Sequence, residues 1–405
     1  MPLIAPAASL TDKYDFDTPY NRIGTDCIKW DAQIALYGKE NIAVGMGVAD
    51  MDFRTAPPIT AALAKRVQHE NWGYLNMPRA FPEAILAWNK RRYGIDINPD
   101  LLLMSTGVHP SILSALRAFS PPGSKVLLLT PTYDGFFGDI AAAGCKPEES
   151  PMRLVNGRYQ MDLEELARHI GPDTKTLILC NPQNPTGNCW SPQDLTAVGE
   201  LCTERGVVVL ADEIHCDFVT KGNKYTPYST LPNREIVKNS ITFKSASKSF
   251  GLSAMKCGWM FSQNPDYIAK VVATGHSGDI NTLGMVASLA AYTEGEDWLN
   301  QLLVYIDANH EFVQRFIRAN MPLVKYEKAQ ATYLAWLDVT GVAERIGATD
   351  TKMVQTFFVK NAKVQINSGS SYGRAGAGHM RMNIATSRKT LELALNNMAA
   401  ALQKS

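Results

Sequence analysis

Three polar residues, each closing an apolar run, define the chemistry open to this chain. Asn184 lies in CNPQNPTG (180–187), Asp212 follows VVVLA (207–211), and Lys248 closes a Ser-x-x-Lys element in ITFKSASKSF (241–250). An amide, a carboxylate and an amine in that order suit pyridoxal 5'-phosphate (PLP). A lysine carries the cofactor as a Schiff base, a carboxylate partners the pyridinium nitrogen, and polar groups fix the phosphate and ring oxygen. Each piece alone has an ordinary explanation; their combination favours a PLP enzyme.

An isolated Asp212 would more often cap a helix. Beside a lysine and an amide it reads instead as a buried carboxylate that raises the proton affinity of a pyridine nitrogen. Lys248 sits among small residues, and a desolvated lysine has a lowered pKa suited to covalent and acid–base work. Lys244 is its rival, but Lys248 fits the Ser-x-x-Lys spacing. Thr106-Gly107-Val108-His109 opens a helix whose backbone amides could cradle a phosphate. Tyr133 follows a strand and could stack on a pyridine ring, although packing is the commoner role. Arg381, between Gly378 and a short strand, has the fork that grips a carboxylate. Its ordinary alternative is a surface arginine.

These residues need elements to hold them. The apolar runs 125–131, 176–182, 207–213 and 241–247 are too short for typical helices and suit buried strands of a mainly parallel sheet. Between them, 162–170 and 191–206 read as helices, the second with Ser191 as N-cap, Pro192 at the first position and Gly206 as its stop. A further helix is expected over 57–70, after a largely irregular N-terminal arm. This alternation predicts an α/β large domain with helices on both faces. In such sheets ligands bind beyond the carboxyl ends of the strands, where all these residues fall. After about residue 285, a long helix over 298–320, strands near 331–339, 363–373 and 379–386, and a final helix predict a smaller α+β domain.

The bulk numbers narrow the class. A chain of 405 residues exceeds one ordinary core, and its formal charge of +1 gives no electrostatic case for nucleic acid or an anionic membrane. Seven scattered cysteines without a CxxC pair argue against a metal site or a disulfide framework. The start, MPLIAPAASLTDKYDFD, lacks secretory-signal features, and no apolar stretch would span a bilayer. A cytoplasmic enzyme without a metal is expected.

The chain resembles the fold type I, class I/II aminotransferase-like PLP enzymes, and within them the MalY/PatB-type cystathionine β-lyase branch. The resemblance runs almost end to end. Its most specific pieces are YDFDTPYNRIGTDCIKWD (14–31) and VADMDFRTAPP (48–58), joined by NWGY (71–74), ILCNPQNPTG (178–187), LADEIHCDF (210–218) and MRMNIATSR (380–388). It implies an arm over 1–45 associated with the small domain, a large PLP-binding domain over 46–285 and a small domain over 286–405. Carried over by motif, Lys248 is implied as the cofactor-bearing, acid–base lysine and Asp212 as the pyridinium partner. Asn184 and His215 fall near the ring's 3′ oxygen, and Tyr133 stacks on the ring. Gly107, Val108 and Ser245 occupy phosphate-binding positions. Tyr74 matches a tyrosine that reaches the neighbouring subunit's cofactor, which implies a homodimer with shared active sites. Arg381 matches the substrate-carboxylate arginine. The implied reaction is α,β-elimination from cystathionine or a related cysteine S-conjugate.

Two places depart from that pattern. SKSFGLSAMKCGW after the lysine is closer to the aminotransferase form, with Lys256 where many aminotransferases carry a phosphate-binding arginine. His109 replaces a small or apolar residue and is either an extra proton carrier or a solvent-facing histidine. Two alternatives therefore stay open: an aminotransferase or tailoring enzyme acting on a modified amino acid, and, more remotely, a regulator working through protein contact.

Overall fold

In the computed structural model, which describes residues 13–405, two sheets are built from chain segments far apart in sequence. The first twelve residues, part of the expected arm and signal-free start, lie outside the described region. The larger sheet has seven strands, in the spatial order Leu102–Ser105, Gly258–Phe261, Ser240–Lys244, Val208–Asp212, Thr174–Cys180, Lys125–Thr130 and Lys146–Pro151. Gly258–Phe261 runs antiparallel to both neighbours, and the remaining pairings are parallel.

The sheet is covered on both faces because its central strands carry successive apolar residues that point to either side. Val126, Leu128, Ile178, Cys180, Val208 and Leu210 join a core with helix Val108–Phe119. Their odd-numbered neighbours, including Leu127, Leu129, Leu177, Leu179, Val209 and Ala211, join another with helix Pro192–Glu204. This is the two-residue alternation of side chains along a strand. Ser191 caps the second helix in a reciprocal box with Asp194, and Gly206 follows its end with φ +66°.

The smaller sheet is antiparallel, ordered Leu334–Asp338, His379–Asn383 and Asn367–Ser368. Helix Arg388–Gln403 and the later half of helix Glu296–Asn320 pack in its core, while the first half of that long helix belongs to a core shared with residues 16–104. The N-terminal segment is tied to the small sheet's side: Val44–Gly45 pairs in parallel with Val364–Gln365, and Cys27, Trp30, Val44 and Met46 enter that core.

Three details differ from the sequence expectation. Residues 31–37 of the arm form a short helix. The helix from Pro57 ends at Val67. The run 241–247 does not stay extended: its strand stops at Lys244, and Ser245 caps a helical turn over Ala246–Ser249, its hydroxyl accepting from the Ser247 amide. That serine competes locally for backbone hydrogen bonds and so ends the strand.

Candidate active site

Thr106, Tyr133, Asn184, Asp212 and Ser245 all lie at one edge of the large sheet, at or just beyond the carboxyl ends of its strands. Register explains the convergence: Cys180 pairs with Asp212, Asp212 with Phe243, Trp259 with Lys244, and Gly258 with Ser105. Gly258 must be small, since a Cβ there would lie 3.0 Å from the Gly107 backbone. Its close approach seats the N-terminus of helix Val108–Phe119 at this edge.

Asp212 is buried, and one carboxylate oxygen accepts from the Ile214 amide at 3.1 Å. Among the described residues no cation pairs with it. Burial pushes its carboxyl up to about 6, against the Ile214 hydrogen bond and the nearby His109 and Lys248 charges. Lys248 donates to the Ala49 carbonyl at 2.7 Å. Burial, assisted by the Arg381 charge, pushes its amine down to about 8, and the Asp50 and Asp212 carboxylates oppose the shift. The rival Lys244 faces the other way, buried with its ammonium 4.2 Å from the Tyr93 ring centroid.

Arg381 is buried in the small sheet. It donates to Asn184 Oδ1 at 3.1 Å and to the Gly47 carbonyl at 2.9 Å, lies over the Tyr372 ring, and leaves Nε without a partner. His215 is buried with Nδ1 likewise unpaired, and desolvation pushes its imidazole well below its ordinary range, so it stays neutral. An orphaned buried polar atom is costly, and these two belong to residues that the motifs single out.

The segment Gly47–Asp52 crosses the site and is clamped from two sides. Tyr333 donates to the Ala49 carbonyl, and Asn383 donates to the carbonyls of Val48 and Asp50. From the arm, the fully buried Lys29 pairs with Asp52 at 2.7 Å, and Arg22 bridges Asp50 and Asp52.

His109 does not simply face solvent. Its Nδ1 lies 2.6 Å from Asp139 and its Nε2 3.1 Å from the Tyr133 hydroxyl. The Ser245 hydroxyl also donates to the Cys257 carbonyl at 2.6 Å. Lys256 is exposed, with a left-handed backbone at φ +49°. Tyr74 is fully exposed and is not brought to the other residues within one chain. Sequence reasoning missed Asp139, Tyr333, the Ala49 carbonyl and the Lys29–Asp52 pair. For the last, the adjacent segments 14–31 and 48–58 were the only signal.

The residues fit PLP. The uncompensated buried Asp212 carboxylate suits a pyridinium, the helix start at Gly107-Val108 suits a phosphate, and the Lys248 amine is readily deprotonated. Comparison with known proteins agrees. Residues 41–398 match the family model for aminotransferase class I and II. The chain is 35% identical to the cystathionine β-lyase PatB of Bacillus subtilis over 96% of its own length and 100% of that protein's. The PLP-bound C–S lyase of Staphylococcus hominis superposes with a TM-score of 0.90 at 29% identity, covering 97% of this chain and 100% of that one. Cystalysin of Treponema denticola, which contains PLP, gives a TM-score of 0.90 at 27% identity, covering 96% and 99%. With the sheet edge, the lysine turn and these likenesses in agreement, the chain belongs to the aminotransferase class I and II family.

Proposed function

We propose that this protein is a PLP-dependent carbon–sulfur β-lyase that converts cystathionine or a related cysteine S-conjugate to a thiol, pyruvate and ammonia. The observation that carries the cofactor half of this reading is a partly buried lysine at the same sheet edge as a buried carboxylate with no cationic partner among the described residues; its lyase half is supported by the likeness to the cystathionine β-lyase PatB over 96% of the chain.

When bound, PLP supplies an electron-accepting ring beside the substrate's Cα. Lys248 would hold the cofactor and, as a free amine, would take the Cα proton; a pKa of about 8 lets it act near neutral pH. Asp212 would keep a proton on the ring nitrogen, Asn184 and the neutral His215 would serve the ring's 3′ oxygen, and Tyr133 would pack on the ring. The Gly107 and Val108 amides and Ser245 would bind the phosphate, with Lys256 as an added point charge. Arg381, already held by Asn184 and Gly47, binds the substrate carboxylate.

The protein acts as a homodimer in this proposal, with Tyr74 reaching the second copy's phosphate; its full exposure in one chain is consistent with that role. A cytoplasmic location is supported by seven cysteines that are all free thiols. No described helix is long and apolar enough to cross a membrane.

The test is to give PLP-loaded enzyme cystathionine and an aromatic cysteine S-conjugate, and to follow pyruvate, thiol and the cofactor spectrum together. Catalytic pyruvate and thiol are expected. Stoichiometric pyridoxamine phosphate without thiol would instead establish an aminotransferase, the reading favoured by the sequence SKSFGLSAMKCGW.

A further inference from the structure

Two groups not yet assigned, Asp139 and His109, extend Tyr133 into a polar chain that runs from solvent toward the site. Asp139, on helix Gly135–Ala142, lies 2.6 Å from His109 Nδ1, and His109 Nε2 lies 3.1 Å from the Tyr133 hydroxyl. The His109 side chain is 44% exposed while Asp139 is mostly covered, so the imidazole can exchange protons with water and its partner cannot be washed away. Gly135 makes room for the contact. A Cβ there would collide with His109 Cε1 and lie 2.6 Å from Tyr133 Cε1.

We propose that Asp139, His109 and Tyr133 form a relay that carries a solvent proton to the sulfur leaving group. With Nδ1–H given to Asp139, Nε2 has two states. A neutral ring accepts the Tyr133 O–H; an imidazolium donates to the Tyr133 oxygen and turns the phenolic proton toward the site. In the reaction, the Cα–H electron pair becomes the Cα=Cβ bond as Lys248 takes the proton. The Cβ–S pair leaves with sulfur, which takes the Tyr133 proton. His109 passes its Nε2 proton to the Tyr133 oxygen and regains one from water.

Four charged or titratable groups face the imidazole. Hydrogen bonding to Asp139 holds its pKa above the ordinary 6.5, burial opposes this, and Asp212 supports while Lys248 opposes the charged form. Burial raises the Tyr133 phenol, keeping it protonated until a neighbour replaces the proton.

The relay rests on the lyase reading, so the experiment separates the two. Histidine-selective NMR of the wild type and Asp139→Asn reads the imidazole directly. His109 should titrate above its ordinary range in the wild type and lower in the variant. Turnover is compared on an S-alkyl cysteine, whose thiolate needs a proton, and on 3-chloroalanine, whose chloride does not. His109→Gln, Tyr133→Phe and Gly135→Ala should each lose roughly ten-fold more kcat on the alkyl substrate than on chloroalanine. Wild-type kcat on the alkyl substrate should fall as pH rises through the His109 pKa. His109→Gln should lack that limb, and Asp139→Asn should show it at lower pH. Equal losses on both substrates, or an imidazole indifferent to Asp139→Asn, overturn the relay. Failure of the wild type to make pyruvate from 3-chloroalanine overturns the lyase reading itself.

Discussion

Asp212 and Glu213 are adjacent in sequence, as Lys244 and Lys248 nearly are, yet one member of each pair faces the site and the other a sealed interior. Glu213 accepts from the Tyr228 amide at 2.8 Å, from Asn181 at 3.2 Å and from the Tyr225 hydroxyl. The Lys244 ammonium lies 4.2 Å from the Tyr93 ring centroid and 5.3 Å from that of Tyr225. Nearby, Asp217 binds Arg92, Tyr93 and Ser249, so the interior also anchors the residue that follows Lys248. Asp212 has one backbone donor and Lys248 one backbone acceptor. Burial is common to both regions, and they differ in spare hydrogen-bonding and charge capacity. Interior groups are used up within the chain, whereas site groups keep capacity for a ligand.

The sharpest way to break this contrast is Lys248→Ala. It should cut turnover by roughly four orders of magnitude or more and remove the visible absorption of lysine-bound cofactor. Stopped assays and a spectrum would check both; a retained band would move the role to another lysine. Asp212→Asn should lower kcat roughly 10²–10³-fold and at the same time stabilise the cofactor-free protein. With a folded carboxyl pKa of about 6 against an ordinary 3.8, the native state holds the extra proton between those values, so stability falls as pH rises across that window. The asparagine variant escapes that loss, worth up to about 3 kcal/mol at neutral pH, and urea unfolding of the apo proteins at acid and neutral pH would show it.

Lys244→Ala should do the reverse. It should destabilise by about 2–4 kcal/mol through a cavity and the loss of a positive charge that favours the buried Glu213 carboxylate, while kcat per folded molecule changes little. A kcat collapse at unchanged urea midpoint would erase the distinction between the lysines. The smallest effect is expected from the exposed Lys256: its replacement by alanine should weaken PLP affinity by less than about ten-fold, as read from cofactor titration.

The frame is legible in the sequence because the central parallel strands carry runs of apolar residues and give way abruptly to polar ones, as at Asn181, Asp212 and Lys244. The positions of Asn184, Asp212 and Lys248 follow from that frame. What joins them from outside the sheet is not legible. Lys29 stands beside Ile28 and Trp30 and looks like any surface lysine until Asp52 is folded onto it. Asp139 sits thirty residues from His109, and only the packing of two helices brings them together. Tyr74 is marked by the NWGY motif alone, and one chain gives it nothing to touch, because its proposed partner belongs to another copy. The strand expected through Ser247 failed for a local reason, the serine cap at position 245.

The clamp on the Ala49 carbonyl has a consequence for synthesis. The Lys248 amine is oriented by a segment near the amino end, and that segment is held by Tyr333, Arg381 and Asn383 near the carboxyl end. A chain leaving the ribosome can lay down the parallel strands in order, but it cannot fix the lysine until its last fifth has emerged. Setting the amine therefore requires both ends of the chain, whereas pairing of the parallel strands does not.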